Sequence, residues 1–244
     1  MTKNILRLCS LVFAAIVTLA VTQLGVHAQT TPQTAKPMKI GFIGSGNIGG
    51  AIGELLAKAG HDVFFSSRNP ENLKPLVARV GPRSRAGTVK EAIAFGDVVF
   101  IGVPYSSMAQ IGQDYAASLK GKIVLDAGNP NPRRDGPTAE AAVAKGAGVA
   151  TAEHLPGARI VRAFNQLNNK VFLSQAHRAG DKVAVPLAGD DKEALAVAAR
   201  LVTDAGFEPV IVGNLAAGKS FDSSQPIFLK TLTARELREA LKLP

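Results

Sequence analysis

The chain has 244 residues, 46% of them hydrophobic, which is enough for one large domain or two small ones. Its formal net charge is +9, an excess that favours phosphorylated, anionic ligands. The basic residues are not clustered and almost no aromatic residues lie among them, so the composition argues against a nucleic-acid-binding protein.

The first 28 residues have the pattern of a secretory signal peptide. Lys3 and Arg7 precede an apolar run from Leu11 to Val21, and small residues at 26 and 28 mark a cleavage site before Gln29. The apolar run is shorter than the roughly 20 residues of a comfortable membrane span. We therefore predict a periplasmic or otherwise exported protein, with an uncleaved membrane anchor as the alternative. Residues 29–37 are predicted to be a linker.

The chain has one cysteine, Cys9, and it lies inside this segment. The processed protein would therefore have no disulfide, no thiol nucleophile and no cysteine-bound metal. The later histidines, His61, His154 and His177, are not at metal-ligand spacing. No metal site is predicted.

A glycine-rich turn follows the first strand-like run, Met38–Ile43, and opens a helical pattern that ends at Gly60. In this context a G-x-G-x-x-G sequence is a dinucleotide-binding fingerprint. Gly44 would permit the tight turn, Gly46 would let the backbone approach a pyrophosphate, and Gly49 would let helix and strand pack closely. The free N–H groups at the start of the helix would face the phosphates. The full fingerprint is Gly44, Ser45, Gly46, Asn47, Ile48 and Gly49.

The end of the second strand, Asp62–Ser66, indicates which dinucleotide is preferred. An NAD site places an acidic residue about 20 residues after the fingerprint, but this chain has Ser67, Arg68 and Asn69 there. Asp62 precedes the strand and would lie at the wrong end of the sheet. A guanidinium beside a hydroxyl suits a 2′-phosphate. We therefore predict an NADP(H) site, with a solvated Arg68 as the alternative.

Strands and helices continue to alternate through the first half. A helix is predicted from Asn69 to about Val80, a capping box at Thr88 and Glu91 starts a short helix, and a helical pattern spans Tyr105–Leu119. The runs at 97–103 and 122–126 are almost continuously apolar. Such runs suit strands that are covered on both faces of a parallel sheet.

The second half keeps this alternation. Strands are predicted at 158–163, 183–188 and 208–212, with Pro186 indicating an edge strand. Helices are predicted at about 168–177 and from Asp190 to Gly206, and the tail from Ser224 is predicted to be helical. Together these patterns predict one doubly wound α/β domain over residues 38–244. It would have a single, mainly parallel Rossmann sheet and a short helical C-terminal tail.

Several segments between Met38 and about Gly218 together resemble the NADPH-dependent deazaflavin (coenzyme F420) reductases. The nicotinamide-binding domains of membrane ferric reductases share much of the same pattern. The segments that carry the resemblance are 44–49, 66–70, 102–105, 126–130, 161–165, 189–191 and 204–207.

The resemblance implies hydride transfer between NADPH and a deazaflavin, in which two cofactors do the chemistry. It implies phosphate contacts at residues 45–48 and 2′-phosphate contacts at Ser67 and Arg68. Val103 and Pro104 would line the nicotinamide-side ribose, and Ala163 would lie near the nicotinamide. The family often has a basic residue soon after the position of Arg68, where this chain has Asn72 followed by Lys74.

No acid–base constellation stands out, so no catalytic residue is predicted. Asn129 and Asn165 follow apolar strands and are candidates to orient a ring or to cap loops, and Tyr105 is a candidate to stack on a ring or to pack. Imine and hydroxyacid reductases resemble the first half, but only about 30 residues follow the last predicted strand here, too few for their helical second domain. A flavin or ferric reductase and a non-catalytic exported NADP-binding protein stay open. The expected partners are small redox cofactors, and self-association is also open.

Overall fold

The computed structural model describes residues 36–244. The predicted signal peptide and most of the predicted linker lie outside these residues. Eight strands are present in this part of the chain: β1 Lys39–Ile43, β2 Asp62–Ser66, β3 Ser84–Gly87, β4 Val98–Ile101, β5 Ile123–Asp126, β6 Arg159–Arg162, β7 Ala184–Gly189 and β8 Glu208–Gly213.

Ten α-helices accompany these strands within the described residues. They are α1 Asn47–Lys58, α2 Lys74–Val80, α3 Val89–Phe95, α4 Met108–Leu119, α5 Pro132–Asp135, α6 Pro137–Lys145, α7 Ala147–His154, α8 Asn169–Gln175, α9 Lys192–Asp204 and α10 Ala234–Leu241. Short 3₁₀ helices lie at 70–73, 105–107 and 215–221. None of the helices between residues 36 and 244 is both long and apolar enough to cross a membrane.

The strands form one sheet in the order β3-β2-β1-β4-β5-β6-β7-β8. Every neighbouring pair is parallel except β6 and β7, which are antiparallel. The chain winds outwards from β1 to β3, then returns to β4 on the other side of β1. The predicted single, mainly parallel Rossmann sheet is confirmed. The reversal of strand order between β1 and β4 opens a crevice beyond their carboxyl ends, where such folds bind ligands.

Helices cover both faces of the sheet, and the central strands send alternate side chains into two large apolar clusters. One cluster joins Phe42, Phe100 and Val161 to α1, α8 and α9. The other joins Ile43, Ile101 and similar residues to α3, α4 and α7. The first cluster holds a continuous row of six phenylalanines whose neighbouring ring centroids lie 5.1 to 6.1 Å apart. Each such pair contributes about 0.5–1.5 kcal/mol beyond its buried area. The row consists of Phe65, Phe42, Phe100, Phe164, Phe172 and Phe207.

The structure corrects several expectations about single elements. β7 is not an edge strand, because it pairs with both β6 and β8. Pro186 is tolerated there because β6 pairs only with the last two residues of β7 and so needs no N–H from residue 186. β3 and the three helices α5–α7 were not predicted. The tail helix begins at Ala234, later than the predicted Ser224.

Candidate functional site

Two of the three fingerprint glycines occupy backbone positions that a side chain would disturb. Gly44 has φ +93°, and a Cβ there would lie 2.6 Å from the carbonyl oxygen of Gly102 at the end of β4. A Cβ at Gly49 would overlap the carbonyl oxygen of Gly44, so α1 could not lie this close to the turn. Gly46 is different, because a Cβ there would meet no atom within 4 Å. Two glycines therefore serve the fold, and Gly46 borders open space.

The start of α1 points into that open space with its backbone donors free. Gly46 is the N-cap and offers no side-chain hydrogen bond to the helix, and the first turn contains no acidic residue. The helix dipole therefore leaves an uncompensated positive end at the turn, which favours an anion. Ser45 donates its hydroxyl to the carbonyl oxygen of Ser66 (3.1 Å), and Ser66 donates to Phe42 O (2.6 Å). These bonds join the turn to the end of β2.

The end of β2 presents a cation and a hydroxyl beside the glycine turn. Ser67 Oγ accepts the backbone N–H of Asn69 at 3.1 Å, which leaves its own hydroxyl hydrogen available. Arg68 is exposed and makes no hydrogen bond or ion pair with any residue between 36 and 244. A guanidinium without a partner in a cleft can bind an anion without first breaking a contact of its own.

A cleft of about 680 Å³ brings these groups together. Of the residues proposed from the sequence, seven line it: Gly44, Ser45, Gly46, Ser67, Arg68, Val103 and Pro104. Asn47 faces a neighbouring groove along α1, and Ile48, Gly49 and Asn69 do not line the main cleft. Ala163 is fully buried at the end of β6 and donates its backbone N–H to Asp126 O, so it contacts the core.

The cleft also has a wall that the sequence reasoning missed. It is formed by the start of α3 and one face of α4, and its residues are Val89, Gln110, Ile111, Asp114 and Tyr115. The α4 residues recur at helical spacing, which could have revealed a shared face. Only the fold shows that this face and Arg68 line the same cleft.

A buried ionic network lies beyond the carboxyl ends of β5 and β6. Arg162 is fully buried, and its Nε and Nη2 donate to Asp222 Oδ1 at 3.0 and 2.8 Å. Its Nη1 donates to the carbonyl oxygens of Asp126 and Gly128. Its Nη2 also donates to Asn129 Oδ1 at 3.0 Å. One side chain therefore connects the end of β5 with the segment that follows β8.

The two carboxylates of this network are held by further donors. Asp126 accepts from Gly128 N and from the Thr151 hydroxyl, and Asp222 accepts from Ala147 N at 2.9 Å. Burial raises the pKa of Asp126, although Arg162 acts in the opposite direction. The sequence reasoning did not identify this network, because its members are distant in the chain.

The candidate ring-orienting residues belong to the same region. Asn129 donates to Asn165 O at 2.7 Å, and Asn165 donates to Phe221 O at 3.0 Å. Asn165 is buried, whereas Asn129 reaches a surface cleft. The Tyr105 side chain is 2% exposed. Its pKa is raised to about 12, chiefly by burial and then by the nearby Asp126 carboxylate. The Tyr105 ring therefore packs in the core.

Asn129 lines a second cleft, of about 610 Å³. Its walls are the segment 129–134, Val143, and the residues Ser223, Ser224 and Phe228 after the last strand. Asp135 follows the segment that lines this cleft. Its buried carboxylate accepts from Arg134 (2.7 and 2.9 Å) and from Asn131 N. These donors, Arg134 above all, lower the pKa of Asp135 to about 2.

Comparison with known proteins agrees with the geometry. Residues 39–130 match the family model described as NADP oxidoreductase, coenzyme F420-dependent. The rat metalloreductase STEAP3 is 28% identical over 195 residues, which are 76% of this chain and 36% of the rat protein. This chain thus spans about a third of that relative's length.

Solved structures give the same picture. A hypothetical protein from Sinorhizobium meliloti is 28% identical, with 82% of this chain and 97% of that chain covered at a TM-score of 0.68. A protein described as an F420-dependent NADP reductase, from an Arthrobacter species, is 23% identical, with 75% and 88% covered at a TM-score of 0.64. The second likeness shows the fold alone. The family-model match confirms, over residues 39–130, the resemblance stated from the sequence.

Proposed function

We propose that this chain, whose residues 39–130 match the family model described as NADP oxidoreductase, coenzyme F420-dependent, binds NADPH and passes hydride to a second redox cofactor of the deazaflavin type. The observation that carries the proposal is the first cleft, where Ser67 and Arg68 lie with the glycine turn at the open start of α1. This cleft has what a phosphorylated dinucleotide needs. The second cleft, lined by residues that follow β5 and β8, offers room for an acceptor.

The chain's own groups fit NADPH along the first cleft. Arg68 and Ser67 would hold the 2′-phosphate, and the free N–H groups at the start of α1 would hold the pyrophosphate. Val103 and Pro104 would then border the ribose next to the nicotinamide. Bound NADPH supplies the hydride, and the protein binds, orients and shields it from water.

The second cleft supports a planar acceptor. Pro130, Pro132 and Phe228 supply apolar walls, while Ser223 and Ser224 supply hydroxyls at its edge. This mixture suits a ring system with polar substituents. A flavin or ferric chelate as the acceptor is the alternative, favoured by the match to a metalloreductase.

Export is part of the proposal and rests on the N-terminal pattern alone. Because soluble NADPH is a cytoplasmic compound, an exported reductase would need a tightly retained cofactor or a membrane anchor that keeps it near a supply. Cell fractionation tests the location, and N-terminal sequencing tests cleavage, which should leave Gln29 first.

Cofactor preference is tested by titrating NADPH and NADH into the wild type and Arg68→Ala. Hydrogen bonds to charged groups contribute about 1.5–3 kcal/mol, so we expect Arg68→Ala to weaken NADPH binding about ten- to hundredfold and to leave NADH binding nearly unchanged. Arg235→Ala, an exposed arginine on α10, is the matched control. A wild type without preference for NADPH would refute the assignment.

The acceptor is tested by mixing the protein with NADPH and, in separate reactions, a deazaflavin, FMN or a ferric chelate while NADPH absorbance is followed. Fastest oxidation with the deazaflavin supports the proposal. Fastest oxidation with FMN or iron supports the alternative, and binding without any oxidation supports a non-catalytic NADP-binding protein.

A further inference from the structure

The wall of the first cleft that is formed by the start of α3 and one face of α4 has no role in the function proposed above. Val89 and Ile111 form its apolar part, and the ring of Tyr115 is half-buried beside them. Gln110 and Asp114 form its polar rim. An apolar surface with a polar edge, in a cleft that also contains the Arg68 guanidinium, suits a flat heteroaromatic base.

The two residues of the polar rim are hydrogen-bonded to each other. Gln110 Nε2 donates to Asp114 Oδ1 at 2.9 Å, one helical turn along α4. Among residues 36–244, Asp114 has no other hydrogen-bond partner and no ion pair. Its second carboxylate oxygen can therefore accept a further hydrogen bond, and the second Nε2 hydrogen of Gln110 can be donated.

This donor and acceptor together match one edge of adenine. Adenine presents a 6-amino donor beside a ring-nitrogen acceptor, whereas hypoxanthine and guanine present an oxygen at the same place. A carboxylate can only accept hydrogen bonds, so it would face a repulsive pair of acceptors if the base carried that oxygen.

We infer that Gln110 and Asp114 determine base specificity by binding the 6-amino edge of the adenine while its ring lies between Arg68 and the Val89–Ile111 surface. The inference rests on the proposed NADPH function and assigns the class of base that the cofactor must carry.

The test compares NADPH with its deaminated analogue, reduced nicotinamide hypoxanthine dinucleotide phosphate, by titration of the purified protein. We expect the wild type to bind NADPH at least about tenfold more tightly, the effect of one hydrogen bond to a charged group at a partly exposed site. Asp114→Asn, whose amide can donate to the hypoxanthine oxygen, should reduce this ratio to less than about threefold. Gln113→Ala, on the exposed side of α4, should leave the ratio unchanged.

The outcomes separate the two proposals. Equal binding of the two cofactors by the wild type, or an unchanged ratio in Asp114→Asn, overturns the adenine assignment. If that occurs while Arg68→Ala still weakens NADPH binding, the NADPH site itself stands. A wild type that binds neither cofactor overturns both.

Discussion

A single added methyl group should affect mainly NADPH binding at one glycine of the turn and mainly the stability of the domain at another. Gly46→Ala places its Cβ where no protein atom lies within 4 Å, and Gly46 has φ −77°, which alanine adopts without strain. We therefore expect a loss of unfolding free energy of at most about 1 kcal/mol, the difference between glycine and alanine at an N-cap. For a domain of this size that lowers Tm by about 2–4 °C.

The same methyl group should strongly impair NADPH binding. It would occupy the space through which the pyrophosphate approaches the N–H groups of α1. Loss of one or two charge-assisted hydrogen bonds, at about 1.5–3 kcal/mol each, predicts NADPH affinity reduced at least about tenfold and by up to about ten-thousandfold or slightly more.

Gly49→Ala should mainly lower the stability of the domain. Its Cβ would fall well inside the 3.0 Å that real Cβ atoms keep from other atoms, and the obstacle is the backbone oxygen of Gly44, which cannot rotate away. Pushing α1 off the turn should cost about 1–3 kcal/mol or more, so Tm should fall further than in Gly46→Ala.

Thermal unfolding followed by circular dichroism and NADPH titration by calorimetry measure both effects. Gly50→Ala is the matched control, since a Cβ there would make only ordinary contacts at 3.5 Å or more. Unchanged NADPH affinity in Gly46→Ala would show that the phosphates do not lie at this turn. Wild-type Tm in Gly49→Ala would show that the close approach of α1 is not required.

Two further predictions concern buried charges. Arg162→Met leaves Asp222 buried without its cation, so the unfolding free energy measured in urea should fall by about 3–5 kcal/mol. Adding Asp222→Leu should recover part of this loss. No recovery in the double variant would contradict the pairing of Arg162 with Asp222. Burial lowers the pKa of His61 below its ordinary 6.5 despite the opposing effect of Asp204, so the unfolded state binds the proton more readily. Tm should therefore fall as pH drops below about 6.5, and this fall should be smaller in His61→Gln; equal slopes would refute the assignment.

The sequence predicted those parts of the fold and site that depend on residues close together along the chain. The turn at 44–49 and the cation at Arg68 depend on residue types at short spacing, and strands such as Val98–Ile101 are apolar throughout. β3 was not predicted because Ser84–Gly87 has no apolar alternation. This segment is a strand because it pairs with β2. α5 begins in a stretch of Pro, Asn and Arg that reads as a loop.

Arg162 shows why the rest could not be predicted. In the run Arg159–Arg162 the two arginines look equivalent, yet Arg159 forms ion pairs with Asp191 and Glu193 at the partly exposed start of β6, whereas Arg162 is enclosed. The difference arises because Asp222, 60 positions along the chain, returns to the end of β6. No local pattern carries that information.

The two clefts therefore depend on different kinds of interaction. The first is shaped by a short turn and by the end of β2, which any chain with this fingerprint can form locally. The second is held by Arg162, which contacts Gly128 and Asn129 on one wall and Asp222, next to Ser223, on the other. Because a buried charge tolerates little displacement of its partners, this network keeps the two walls of the second cleft at a constant separation.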